Sequence, residues 1–250
     1  MIVLKLGGSV ITDKERAETL DGEALDRAAD AVAAALESTS ESLAEGLVVV
    51  HGGGSFGHHN ASEHGVTTTA GTRDATAVHD VHGAMKTLNA FVLSRLLERE
   101  VPAVPVHPFS AGHRDGEGDL QLPTGQITTL LEEGFVPALH GDVIGHAGRG
   151  ATIVSGDELV VELATSLEAD RVGLCSTVPG VLDADDAVIE RIDSYAAVES
   201  VLGGSEATDV TGGMAAKVRA LLALEANASI FGLDELGGFL EGAEPGTTIE

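Results

Sequence analysis

Two apolar runs near the start of the chain each stop on glycines. Residues 2–6, IVLKL, run into Gly-Gly-Ser, and residues 46–50, GLVVV, run into HGGGSFGHH. A short apolar run that ends on glycine reads as a buried strand whose exit turn requires close backbone approach. After the first turn, residues 21–38 carry Leu25, Ala28, Ala29, Val32, Ala33 and Leu36 at helical spacing. Residues 72–99 likewise carry Val78, Val81, Met85, Leu88 and Val92 on one stripe. Strand, glycine turn and helix therefore repeat. The same reading predicts strands at 101–106, 135–139, 171–175 and 228–231, and helices near 125–133, 156–168, 194–202 and 213–226. Strands separated by helices pair in parallel and bury both faces. The expected fold is therefore α/β, a three-layer αβα sandwich with a mainly parallel central sheet. Gly and Asp punctuate alternating residues at 112–122 and 142–154, which predicts small antiparallel hairpins on the rim. The chain reads as one domain over 1–250, with a soft division near residue 150.

The chemistry of the surface narrows the choice of partners. There are 40 acidic against 14 basic residues, a formal charge of -26, yet 43% of residues are hydrophobic, which is too apolar for a disordered acidic chain. An acidic surface repels nucleic acid and anionic membranes, which bind through clustered Lys and Arg, so neither is expected as a partner. Scarce lysines and aromatics beside many Asp and Glu read as adaptation to a salty cytoplasm, where screening removes most self-repulsion. The single cysteine, Cys175, excludes an internal disulfide and offers no zinc-ribbon spacing. The start MIVLKLGGSVITDK lacks the marks of a signal peptide, and no apolar run is long enough for a bilayer, so a soluble cytoplasmic protein is expected.

HGGGSFGHH admits three readings. Gly52, Gly54 and Gly57 satisfy the dinucleotide fingerprint G-x-G-x-x-G, with Asp74 near the spacing of a ribose contact. The turn follows the second strand, however, and a Gly pair already follows the first. A metal reading would recruit His51, His58, His59 and His64, without the HExxH or Cys-pair spacing of zinc sites. The phosphate reading draws on the lysines: only four are present, and Lys5, Lys14 and Lys217 sit in or beside glycine-containing segments. Glycine lets backbone N–H groups approach anionic oxygens, a following helix N-terminus adds positive potential, and lysine supplies a mobile charge. Phosphoryl transfer asks for little else. The Walker sequence G-x-x-x-x-G-K-[ST] is absent.

The segments LKLGGS, HGGG, HGD at 140–142, SGDE at 155–158 and DVTGGMAAK at 209–217 resemble, in order, the motifs of the amino acid kinase family. Within it, ITDK and the histidine of HGGGSFGH are similar to the isopentenyl phosphate kinases. The resemblance implies phosphorylation of isopentenyl phosphate, a small-molecule substrate, by ATP, with Mg2+ accompanying ATP on its phosphate oxygens rather than in a protein carboxylate cage. Lys5, Gly7, Gly8, Ser9, Gly54, Gly213 and Lys217 would then cradle the ATP phosphates. Lys14 would neutralise the transferring group, and Gly53, His58 and Gly156 would hold the acceptor. Lys14, His58, Lys5 and Lys217 would carry the catalysis. Asp142 and Asp157 are candidates for orienting lysines or water, and Val78, Val81 and Met85 for the walls of an isoprenoid slot. Acceptor binding would fall to residues up to about 150 and ATP binding to the rest, and relatives commonly form homodimers. One departure stands out: STVPGV at 176–181 replaces the usual TDVDGV, which puts Thr177 and Pro179 where aspartates are typical of nucleotide binding. Phosphorylation of another small acid or phosphonate, and a non-catalytic nucleotide sensor, are the competing functions.

Overall fold

A computed structural model describes residues 1–38, 43–202 and 213–250. Its strands are β1 (Ile2–Leu6), β2 (Leu47–His51), β3 (Ala103–Pro105), β4 (His113–Arg114), β5 (Leu120–Gln121), β6 (Val136–His140), β7 (Asp142–His146), β8 (Gly150–Val154), β9 (Arg171–Ser176), β10 (Arg191–Ile192), β11 (Asn227–Gly232) and β12 (Thr247–Ile249). The helices are α1 (Gly8–Ile11), α2 (Gly22–Glu37), α3 (Gly54–Glu63), α4 (Ala75–Leu97), α5 (Pro108–Ala111), α6 (Gly125–Glu132), α7 (Gly156–Ser166), α8 (Glu199–Leu202), α9 (Gly213–Leu221) and α10 (Leu236–Leu240).

The main sheet has the order β10-β12-β11-β9-β1-β2-β6-β3 and is parallel except where β12 runs against β11. Side-chain alternation along β1 divides the core into two layers. Ile2, Leu4 and Leu6 pack with Leu25 and Val32 of α2, Leu88 of α4 and Phe239 of α10. Val3 points the other way, with Val48 and Val50 of β2 and Leu159 and Leu163 of α7. Because the period is two, Lys5 shares the α7 face with Val3, while His51 and His140 at the ends of β2 and β6 fall on the α4 face. The two rim hairpins expected from the sequence form, and β4 pairs with β7 to join them into a second sheet, β5-β4-β7-β8.

The structure differs from the sequence reading in several places. Helix α3 occupies residues 54–63, where two glycines and two histidines leave no apolar period to read; only Gly54, Ser55, Phe56 and Asn60 are buried in it. The span 194–202 resolves into a single 3-10 turn, Tyr195–Ala197, and the short α8. Helix α9 stops at Leu221. Strands β10 and β12 are too short to announce themselves by alternation. Residues 209–212 of DVTGGMAAK lie outside the described residues. Among the described residues no helix is long and apolar enough to cross a membrane.

Candidate active site

Parallel strands all leave the sheet at one edge, so the turns after β1, β2, β6, β9 and β11 crowd together there, the usual place for a ligand in an open α/β sheet. A cavity of about 340 Å3 opens on that edge. It is lined by Lys5, Gly7, Gly8, Ser9, Lys14, Gly53, Gly54, His58, Gly156 and Lys217, and Met214 brings α9 to it beside Gly213. Residues scattered from 5 to 217 are thus gathered at a single place. Helices α1, α3 and α7 start at Gly8, Gly54 and Gly156 on its wall. The first N–H groups of a helix have no partner inside the helix, so the wall presents donors and positive potential to an anion.

Two of the glycines are demanded by backbone packing. A Cβ on Gly8 would stand 2.2 Å from the Gly54 nitrogen, and one on Gly54 would stand 2.2 Å from Oγ1 of Thr12. Gly54 also has φ +49°. The β1 and β2 turns therefore touch backbone to backbone. Thr12 locks them, donating from Oγ1 to the Gly8 carbonyl (2.7 Å) and accepting from the Ser55 N–H (3.0 Å).

The cations are organised by one carboxylate. Lys5 Nζ reaches Asp157 Oδ1 at 2.5 Å, and Lys217 Nζ stands 3.9 Å from Oδ2 of the same residue. Asp157 lies in the first turn of α7, whose N-cap Ser155 accepts from the Glu158 N–H (3.1 Å). The neighbouring Glu158 accepts from both terminal guanidinium nitrogens, Nη1 and Nη2, of the buried Arg114. Lys14 is exposed on the loop between α1 and α2, at the cavity. That loop hangs on α3: Asn60 Nδ2 donates to Glu18 Oε1 (2.7 Å), and the Thr19 N–H donates to Ser55 Oγ (3.2 Å). Glu18, Asn60 and Arg114 escape sequence reasoning because the partners that matter here are far away in the chain.

On the other side, His58 stands exposed on α3 at the cavity, with Val66, Val81, Met85 and Ile153 supplying apolar lining. Val78 is half-buried and is not part of that lining. Thr177 lines the cavity and Pro179 does not. The remaining histidines disperse: His59 faces Glu63 at 3.7 Å, and His64 faces Asp80 at 3.1 Å. Asp74 caps α4, accepting from the Thr76 N–H, and does not line the cavity. Beneath the turn, His51 and His140 are fully buried and stacked, with ring centroids 5.5 Å apart. Burial lowers His51 to about 4 and pushes His140 well below its ordinary range, so both are neutral near pH 7. Asp142 is pushed up by burial and answers with a 2.8 Å contact to His82 Nδ1.

Against the amino acid kinase family model, residues 1–230 match. The chain belongs to the amino acid kinase family. Among family relatives, the isopentenyl phosphate kinase of Haloferax volcanii is 61% identical over 249 residues, covering 100% of this chain and 98% of that one. The isopentenyl phosphate kinase of Methanothermobacter thermautotrophicus is 36% identical over 90% of this chain and 86% of that one. In three dimensions, this amino acid kinase superposes on a solved isopentenyl phosphate kinase with a TM-score of 0.82 at 27% identity, covering 100% of this chain and 99% of the other.

The glycine turns, helix N-termini and lysines of this wall are donors and cations, the chemistry that phosphate oxygens need. Among the described residues there is no cluster of three or more His, Cys, Asp or Glu able to hold an ion, and Asp157 is already occupied by two lysines.

Proposed function

We infer that the chain transfers the γ-phosphoryl group of ATP to the phosphate of isopentenyl phosphate. The observation that carries this is the composition of one cavity: two lysines on a shared aspartate at one side, and a histidine over an apolar wall of Val81 and Met85 at the other. Such a site suits two phosphates and a short hydrocarbon tail. An ionised phosphate monoester is already a nucleophile, so no general base is needed. An acceptor oxygen bonds to the γ-phosphorus, the bond to the bridging oxygen breaks, and ADP leaves with that electron pair. The barrier lies in bringing anions together, which donors and cations lower.

In this reading Lys5, Gly7, Gly8, Ser9, Gly54, Gly213 and Lys217 receive ATP. Lys14 neutralises charge on the moving group, and Gly53, His58 and Gly156 receive the acceptor. Residues up to about 150 would supply the acceptor's Gly53, His58, Val81 and Met85 together with the first ATP loop, while Gly156, Gly213 and Lys217 come from the rest of the chain. Mg2+ would be held chiefly by the ATP phosphate oxygens, and when bound would supply neutralisation of their charge. A cytoplasmic homodimer working in high salt is proposed with it, to be checked by light scattering in molar KCl. ADP release from Mg-ATP should be measured in molar KCl with isopentenyl phosphate, glutamate, acetylglutamate, carbamate and UMP as acceptors. Turnover confined to isopentenyl phosphate is expected; turnover with another acceptor instead would replace the substrate, and ATP binding without turnover would make the chain a sensor.

A further inference from the structure

One buried group has no part in the transfer so described, the histidine at the head of the second glycine turn. His51 ends β2, is 0% exposed, and places Nδ1 3.0 Å from the carbonyl of Gly52, the next residue. A carbonyl only accepts, so Nδ1 carries the proton. A neutral ring with its proton on Nδ1 has a bare, accepting Nε2. That nitrogen faces the amide of Asn89 at 3.2 Å, and Asn89 is the residue whose buried Nδ2 otherwise finds no partner. Turning the amide so that Nδ2 donates to Nε2 satisfies both groups at once. His140, paired with His51 across β2 and β6, repeats the arrangement: its Nδ1 lies 3.0 Å from the Gly141 carbonyl, and its Nε2 meets His107 Nδ1 at 2.9 Å.

The Gly52–Gly53 peptide is trans, so its carbonyl and its N–H point in opposite directions. The carbonyl points down, towards the buried ring. The Gly53 N–H then points up and has no backbone partner among the described residues, at a turn that lines the cavity. We propose that His51 is a positioning residue: by holding the Gly52 carbonyl it aims the Gly53 N–H at the acceptor's phosphate. Glycine at positions 52 and 53 has no side chain to fix its peptide plane, so a peptide flip is cheap unless something opposes it. The stacked His140 and the Asn89 amide keep the ring in place.

This rests on reading the Gly53 turn as the acceptor's cradle. The test compares His51→Asn, whose amide N–H stands near the position of Nδ1–H, with His51→Gln, whose donor reaches the Nε2 position instead. Expected for His51→Gln is roughly a tenfold or greater loss in kcat/KM for isopentenyl phosphate, with KM for ATP nearly unchanged, while His51→Asn stays within a few-fold of wild type. Equal losses in the two variants, or wild-type acceptor kinetics in His51→Gln, would overturn the proposal. Nitrogen-15 histidine NMR of the unaltered protein reads the tautomer without relying on any variant. A protonated Nδ1 and bare Nε2 on His51 are expected, and the opposite tautomer would overturn it. His58→Ala separates the two readings: if it impairs the acceptor while His51→Gln does not, only the aiming role falls, and if neither does, the cradle itself is misplaced.

Discussion

Asp157 lies between two lysines that enter from opposite ends of the chain, 2.5 Å from Lys5 Nζ and 3.9 Å from Lys217 Nζ. Strand parity turns Lys5 onto the α7 face, and the first turn of α7 presents Asp157 to it. Without the carboxylate, the two ammonium groups repel one another at the moment when both are needed on one phosphate chain.

Asp157→Asn should therefore lower kcat by about tenfold to a hundredfold, the scale of a charge-assisted hydrogen bond of ~1.5–3 kcal/mol, with a smaller effect on KM for the acceptor. Steady-state kinetics with each substrate varied against a saturating concentration of the other check this, and unchanged kcat would leave the lysines organised by some other contact.

Lys14 is exposed and loop-borne, so it contributes little to the fold. Lys14→Ala should reduce kcat by roughly a hundredfold or more while KM values move only a few-fold, because a charge that matters in the transition state affects the rate rather than binding. Loss confined to KM, measured in the same assay, would place Lys14 in ground-state binding.

His58→Ala should cut kcat/KM for isopentenyl phosphate by about tenfold to a hundredfold, the worth of one hydrogen bond to a charged oxygen. ATP affinity, measured by calorimetry on the variant, should stay close to wild type.

Gly54→Ala introduces a Cβ 2.2 Å from Thr12 Oγ1 at a backbone φ of +49°. A penalty of ~2 kcal/mol or more is expected, a fall in Tm of about 5 °C or more for a chain of this size. Gly83→Ala is the control, in the middle of α4 with nothing within 4 Å of the new Cβ, and should raise Tm slightly. Differential scanning calorimetry distinguishes them.

Stability should fall with acid in a window set by the buried histidines. His51 sits at about 4 in the folded protein against an ordinary 6.5, and His140 and His107 are displaced the same way. Between those values the unfolded chain binds more protons than the folded one. The stabilisation is complete above 6.5 and is lost as pH falls towards 4. Asp142, raised by burial and paired with His82, works in the opposite sense over its own range. Urea midpoints from about pH 7.5 to about 4.5 should decline, and less steeply in His51→Asn.

The periodic segments are legible in the sequence. Apolar runs ending in glycine, and helical stripes such as Val81, Met85 and Leu88, place β1, β2, α2 and α4, because hydrophobic period is a local property that burial enforces. Helix α3 is not legible, since its sequence is largely glycine, serine and histidine, and it is held by contacts of Phe56 and Asn60 with distant residues. The candidate site divides in the same way. Lys5, Lys14, Lys217 and the glycines stand out in a chain with so few lysines. Glu18, Asn89 and Arg114 carry no mark in the sequence, because their importance lies in long-range hydrogen bonds.

By itself, the sequence determined the alternation of strand and helix, the acidic surface, and the glycine and lysine segments whose order carries the family resemblance. Tertiary structure decided which of these meet: parallel strands bring the glycine turns to one edge, and their two-residue period sends Lys5 up towards Asp157 and His51 down beneath the turn. Composition and spacing act within a few residues, whereas a site for two phosphates needs groups that only the packing of the whole sheet brings within hydrogen-bond reach.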